Sequence, residues 1–123
     1  SNVVGNPLTA LTLRRAELFR DPAIRALALA LLHEAVAIGR ADGASLEPED
    51  AQRTLAFFDA LPPDVGSSML HDRLAGRPLE SAPLPGAALR AARRHDVPAP
   101  RLQTLFAILA ALPEPLPERP LTA

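Results

Sequence analysis

The sequence of 123 residues contains no cysteine, which excludes disulfide bonds, thiolate metal sites and a cysteine nucleophile. It contains no lysine either, because all 13 of its basic residues are arginine. Chemistry that depends on a lysine side chain therefore cannot draw on this chain. The lack of cysteine is compatible with a reducing cytoplasm, which is where we expect the protein to be found.

Charge and hydropathy exclude further classes of protein. The formal net charge of −1 argues against nucleic acid as a partner, since that would require an excess of basic residues. The longest apolar run, Ala26 to Leu32, is far shorter than the roughly 20 residues that cross a membrane. No signal segment opens the chain. Because Ser1 takes the place of an initiator methionine, we expect the chain to be part of something longer.

Patterns for metal sites, hydrolases and strands are also missing. The three histidines, His33, His71 and His95, lack the H-x-x-x-H spacing of a metal site, so we expect no metal. Ser68 has only His71 at a suggestive spacing, without the nucleophile elbow of a serine hydrolase. No segment alternates with period two, and no G-x-G-x-x-G follows a strand. The chain is therefore predicted to be all-α, a compact helical bundle.

Helix signals cover most of the chain. Asp21, a capping carboxylate followed by proline at the first helical position, predicts a helix that runs to about Ala41. Apolar residues on two of its faces predict that this helix is central. The other predicted segments are a helix over Asn2 to Leu13 that contains Pro7, a helical turn over Arg14 to Arg20, and helices from Ser45–Asp50 to Leu61, from Ser67 or Ser68 to Gly76, over Ala87 to His95 and over Pro100 to Leu112.

The text after Leu112 is proline-rich and predicts an extended tail over residues 113–123. The domain is therefore expected to span residues 1–112. Within it, the short helix that follows Ser67 places Ser68 and Asp72 one turn apart on one face, and its exit loop brings Glu80 nearby. From the spacing alone, a solvated face is the better explanation of this pair.

The residue types in this segment, and not only their spacing, match a known motif. S-S-M-L-x-D-x-x-x-G-R-x-x-E from Ser67, followed by Gly86 and by V-P-A-P from Val97, resembles the C-terminal domain of the ketopantoate reductase (2-dehydropantoate 2-reductase) family. A second motif, N-V-V-G-N-P-L-T-A-L from Asn2, resembles the N-x-x-x-N-P-L-T-A-L that opens the same domain. Together they extend the resemblance over about Asn2 to Leu112.

The resemblance implies a helical bundle of the 6-phosphogluconate dehydrogenase C-terminal type. In the family this bundle follows an N-terminal Rossmann domain that binds NADPH, and no such domain is present in these 123 residues. The family reduces a 2-oxo acid, ketopantoate to pantoate in pantothenate biosynthesis, by hydride transfer from NADPH. The resemblance therefore also implies that this chain alone binds no cofactor and is inactive.

Site residues also follow from the resemblance. Asn2 and Asn6 would orient the substrate, Ser68 would bind its carboxylate, and Asp72 would lie in or beside the substrate site. Glu80 would be a catalytic residue next to the family's lysine, which precedes Asn2 by four positions in the pattern K-x-x-x-N-x-x-x-N and so falls before this chain begins. The family text E-I-D-x-x-N-G is replaced here by E-S-A-P-L-P-G, which leaves another 2-oxo acid open as the substrate.

Two functions of different classes remain. The leading one is the substrate-binding and catalytic domain of an NADPH-dependent 2-oxo-acid reductase, and the alternative is a stand-alone helical module that dimerises or binds a partner without catalysis. Because a Rossmann-facing surface would be left exposed, we predict a homodimer.

Glu34, which the family also carries, is expected to make a structural hydrogen bond. A solvated face explains the arginines of residues 90–94 better than contact with a cofactor phosphate.

Overall fold

The computed structural model describes residues 2–79 and 83–113. No strand occurs in these two ranges, and the all-α prediction is confirmed. The described elements, in chain order, are α1 (Asn2–Thr12), a 3₁₀ turn (Ala16–Arg20), α2 (Pro22–Ala41), α3 (Asp50–Ala60), α4 (Ser68–Leu74), α5 (Pro83–Arg94) and α6 (Pro100–Ala110). Glu80 and the predicted proline-rich tail beyond Pro113 lie outside the described residues.

Helix α2 is central, as its two apolar faces predicted, because it contacts α1, α3, α5, α6 and the 3₁₀ turn. It begins as expected: Oδ1 of Asp21 accepts hydrogen bonds from the backbone amides of Ala23 at 2.9 Å and Ile24 at 3.2 Å. It ends before Gly43, whose φ of +93° is readily adopted only by glycine.

Helix α2 is long enough and apolar enough to cross a membrane. The central helices of soluble proteins often have the same length and mean hydropathy, so this is weak evidence for a membrane span. Four apolar residues of α2, Ala28, Leu31, Leu32 and Ile38, are buried inside the bundle, and Leu27 is exposed. Next to it, the rings of Phe19 and Phe58 stack with their centroids 4.6 Å apart. The other buried apolar residues of the cluster include Val4, Leu8, Leu18, Ala28, Leu32, Ile38, Leu55, Leu102, Leu105 and Phe106.

One helix start differs from the sequence prediction, because α5 begins at Pro83 rather than near Ala87. Prolines are tolerated there because the amides of a first helical turn have no partner within the helix. Helix α3 begins at Asp50, the last residue of the range predicted for its start, and Oδ2 of Asp50 accepts a hydrogen bond of 2.7 Å from the amide of Glu47 in the preceding turn. Pro7 lies inside α1, as predicted.

Candidate functional site

Helices α1 and α4 pack against each other and bring the two sequence motifs together. Nη1 of Arg73 in α4 donates hydrogen bonds to the carbonyl oxygens of Ala10 at 2.6 Å and Leu11 at 3.2 Å. These carbonyls belong to the last turn of α1, where helical acceptors have no partner of their own. Arg73 therefore caps α1 from α4 and holds the two helices side by side.

A pair of hydroxyl groups joins the same helices. Oγ1 of Thr9 and Oγ of Ser67 are 2.6 Å apart, although the residues are 58 positions apart in sequence. Oγ1 of Thr9 also lies 3.0 Å from the carbonyl oxygens of Gly5 and Asn6, and when its proton is directed to either carbonyl, Ser67 is the donor to Thr9. Ser67 also caps α4, because its oxygen accepts a hydrogen bond of 3.0 Å from the amide of Leu70. Both hydroxyls are thus committed to the fold.

A pocket of about 300 Å³ lies beside this contact. Its polar edge comes from the two motifs, and its apolar wall comes from the 3₁₀ turn, α3 and the loop before α4. The lining residues are Gly5, Asn6, Thr9, Ala16, Phe19, Phe57, Phe58, Leu61, Val65, Gly66, Ser67 and Ser68. Within the described ranges, the amide of Asn6 and the hydroxyl of Ser68 form no hydrogen bond with the protein, so both are available to a ligand.

The remaining candidate residues are placed differently. Asp72 does not line this pocket, and its Oδ1 accepts a hydrogen bond of 2.9 Å from Nε of Arg77. Asn2 is the first residue of α1, one helical turn before Asn6, and its side chain is not among those described. Glu80 lies outside the described residues. The structure therefore brings Asn6 and Ser68 together, and the roles of Asn2, Asp72 and Glu80 stay predictions.

Glu34 is buried away from the pocket and makes the structural hydrogen bonds that the sequence led us to expect. Its Oε1 accepts from the amide of Leu102 at 2.9 Å, and its Oε2 accepts from the amide of Arg101 at 3.2 Å. These are orphan amides in the first turn of α6, which has Ala99 at its N-cap and hence no local side-chain acceptor. A residue of α2 thus caps α6.

Sequence reasoning missed the aromatic wall and the Thr9–Ser67 contact. Phe58 is buried with Leu55 on one face of α3, as their helical spacing predicts, whereas Phe57 is 59% exposed and lines the pocket. The signal for the hydroxyl pair was available, because Thr9 lies in the first motif and Ser67 directly precedes Ser68. What could not be read from the sequence was the α1–α4 packing that makes them neighbours.

The two adjacent serines provide a matched test of these assignments. We expect Ser67→Ala to lower the free energy of unfolding by about 2 kcal/mol, since it removes a helix cap and the hydrogen bond with Thr9. Ser68→Ala should change it by less than about 0.5 kcal/mol, because that hydroxyl bonds to nothing in the described part of the fold. Urea unfolding of both variants measures the difference, and equal losses would contradict the assignment.

Comparison with known proteins adds an independent result. The family model described as "Ketopantoate reductase PanE/ApbA C terminal" matches residues 1–113. A 2-dehydropantoate 2-reductase of Mycobacterium tuberculosis is 37% identical over 98 residues, which cover 80% of this chain and 33% of that protein. One from Caulobacter vibrioides is 31% identical over 104 residues, which cover 85% of this chain and 36% of that protein.

Solved structures give the same match. A dimeric ketopantoate reductase from Staphylococcus aureus is similar with a TM-score of 0.84 and 28% identity, over 89% of this chain and 39% of that one. A 2-dehydropantoate 2-reductase from Geobacter metallireducens is similar with a TM-score of 0.83 and 28% identity, over 89% of this chain and 37% of that one. The chain spans about a third of the length of the curated relatives that it matches.

Proposed function

This chain belongs to the family of ketopantoate reductase C-terminal domains, and on that premise we propose that it is the substrate-binding and catalytic C-terminal domain of an NADPH-dependent 2-oxo-acid reductase. The observation that carries the proposal is the pocket between α1 and α4. Two polar side chains from separate motifs, Asn6 and Ser68, line it together and have no hydrogen bond within the described parts of the chain. The substrate proposed first is 2-dehydropantoate, because that is the substrate in the names of the relatives.

The free groups suit a 2-oxo acid. The hydroxyl of Ser68 can donate to the substrate carboxylate, and the amide of Asn6, joined by that of Asn2 one turn earlier, can orient the ketone end. Reduction adds a hydride to the ketone carbon and a proton to its oxygen, so negative charge develops on that oxygen. We propose that the family's lysine, upstream of Asn2, supplies the proton and that Glu80 lies beside it. Neutral amide and hydroxyl groups hold the substrate without the strong binding that a full charge would add.

NADPH would supply the hydride in the full-length protein. The residues described here do not fit a dinucleotide, since residues 2–79 and 83–113 contain no strand that leads through a glycine loop into a helix. We therefore propose that the cofactor site lies in a Rossmann domain upstream of residues 1–112. The full-length enzyme is proposed to act in the cytoplasm.

The experiment is to express the full-length protein that contains this chain and to follow NADPH absorbance with 2-dehydropantoate and with other branched 2-oxo acids. We expect turnover of at least one of them. Ser68→Ala in that protein should lower kcat/KM by about tenfold or more, since a hydrogen bond to a charged group is lost. Lack of turnover with every acid would contradict the reductase and favour a helical binding module.

An apolar groove supports the proposal of a homodimer. Leu27 of α2 and Ile108 of α6 are 37% and 52% exposed, and both line a groove of about 450 Å³ between these helices. Exposed apolar surface of this kind is often covered by a second subunit. The Staphylococcus aureus relative is described as dimeric. Sedimentation of the 123-residue chain at tens of micromolar should show a dimer, and a monomer alone would contradict this proposal.

A further inference from the structure

The pocket between α1, α3 and α4 is lined by apolar side chains as well as by Asn6 and Ser68. Phe57 lines it while remaining 59% exposed, and Val65 is 38% exposed. Leaving a phenylalanine ring in water is unfavourable, because an apolar side chain of this size gains about 1.5–3 kcal/mol when it is fully buried. A ligand with an apolar group of its own would cover these side chains.

The guanidinium of Arg15 and the ring of His71 lie next to the same pocket. Gly66 is one of the lining residues, and a methyl group placed on its Cα would lie 2.6 Å from Nε2 of His71 and 3.0 Å from Nη1 of Arg15. The imidazole and the guanidinium therefore converge on one backbone atom. That atom directly precedes Ser67 and Ser68, the polar edge of the pocket.

Arg15 forms no salt bridge within the described ranges. Its Nη1 donates a hydrogen bond of 3.4 Å to the carbonyl oxygen of Asp64, which carries no charge. Glu17, whose carboxylate accepts a hydrogen bond from the backbone amide of Arg15, is bound to Arg14 at 2.6 Å. The hydrogen bond from Arg14 holds the pKa of Glu17 below its usual range, so this carboxylate remains ionised and paired.

We propose that the pocket takes a 2-oxo acid with a bulky, purely apolar side chain, which packs against Phe57 and Val65, while the guanidinium of Arg15 attracts its carboxylate to the end of the pocket at Gly66 and Ser68. This inference rests on the proposed function and favours an apolar 2-oxo acid over 2-dehydropantoate as its substrate. Arg15 and Phe57 are the residues that determine specificity. A hydroxylated acid such as 2-dehydropantoate is then the weaker ligand, because it would place a hydroxyl group against an apolar wall.

The attraction between Arg15 and the ligand carboxylate is tested by NMR titration of the ¹⁵N-labelled 123-residue chain with 4-methyl-2-oxopentanoate and with its uncharged amide. We expect shifts at Gly66 and Ser68 and tighter binding of the acid than of the amide. Arg15→Gln should weaken binding of the acid about fivefold, which corresponds to one charge interaction in a solvated site, and should leave the amide unchanged. Arg40→Gln, at an exposed arginine near the end of α2, is the control and should change neither. An equal loss for acid and amide would overturn the role of Arg15.

The apolar wall is tested with the same ligands. Phe57→Ala should weaken the acid and the amide alike by about fivefold, because both carry the same apolar side chain. Leu74→Ala, at a residue that is 50% exposed and lines neither this pocket nor the groove between α2 and α6, should change neither. The proposal is overturned if Phe57→Ala has no effect, if the wild-type chain binds no acid at millimolar concentration, or if 2-dehydropantoate binds more tightly than 4-methyl-2-oxopentanoate.

A further ligand separates this inference from the proposed function. 4-Methylpentanoate has the carboxylate and the apolar side chain but no ketone, and it should still bind and remain sensitive to both variants. If it binds while the full-length protein reduces no 2-oxo acid, the reductase assignment fails and the pocket chemistry stands. If the full-length protein is a reductase but Arg15→Gln and Phe57→Ala bind normally, the reductase stands and this inference fails.

Discussion

Replacing Glu34 with alanine should lower the free energy of unfolding by about 3 kcal/mol, the largest stability loss that we expect outside the apolar core. The side chain is 10% exposed and accepts hydrogen bonds from the amides of Arg101 and Leu102. Truncation leaves both amides in the first turn of α6 without an acceptor, in a position that water reaches poorly. Urea or thermal unfolding followed by circular dichroism measures the loss.

Three variants isolate the cause. Glu34→Gln keeps the shape and one acceptor oxygen, so we expect a loss of only about 1 kcal/mol. Arg101→Gln removes the guanidinium that lies 3.5 Å from Oε2 of Glu34, and because Arg101 is 59% exposed the loss should stay below about 1 kcal/mol. Glu49→Ala is the matched control, since Glu49 is at the N-cap of α3 without capping it. A loss for Glu34→Ala no larger than that for Glu49→Ala would contradict the capping role.

Local signals were sufficient to predict the main helices. Asp21 and Gly43 lie on the two sides of α2 as their chemistry predicts, because a carboxylate cap and a left-handed glycine act on the nearest backbone groups. The start of α5 was predicted too late because prolines were treated as barriers, whereas a first helical turn accepts them. Contacts between helices, such as Glu34 with α6, depend on the packing angle, which no local signal encodes.

The site was predictable in its residues and not in its shape. The two motifs identified Asn6 and Ser68, and the structure places both at one pocket. The spacing of Leu55 and Phe58 predicts that Phe58 is buried. The apolar wall, however, depends on the packing of α3 against the 3₁₀ turn, and the meeting of Arg15 and His71 depends on Gly66 lacking a side chain. These are consequences of three elements that pack together, so a reading of one segment at a time could not find them.

The largest effect on activity is expected from a residue that this chain does not contain. In the K-x-x-x-N-x-x-x-N pattern the lysine precedes Asn2 by four positions. If α1 continues upstream, the side chains of this lysine, Asn2 and Asn6 lie on the same face of the helix, one turn apart. We expect a lysine at that position of the full-length protein. Its replacement by methionine should lower kcat by about 100- to 1000-fold, since a preorganised donor to the developing alkoxide is lost.

Two comparisons make this prediction specific. Lysine→arginine keeps the positive charge but gives up a proton far less readily, so kcat should recover only in part while KM stays near the wild-type value. The 123-residue chain itself, with no lysine and no glycine loop for a dinucleotide, should neither bind NADPH at micromolar concentration nor reduce 2-dehydropantoate. Fluorescence titration and the absorbance assay test both statements. An unchanged kcat in the methionine variant would show that the lysine is not the proton donor. Turnover by the short chain would show that the proton comes from a group within residues 1–123, and Glu80 would then be the first candidate to replace.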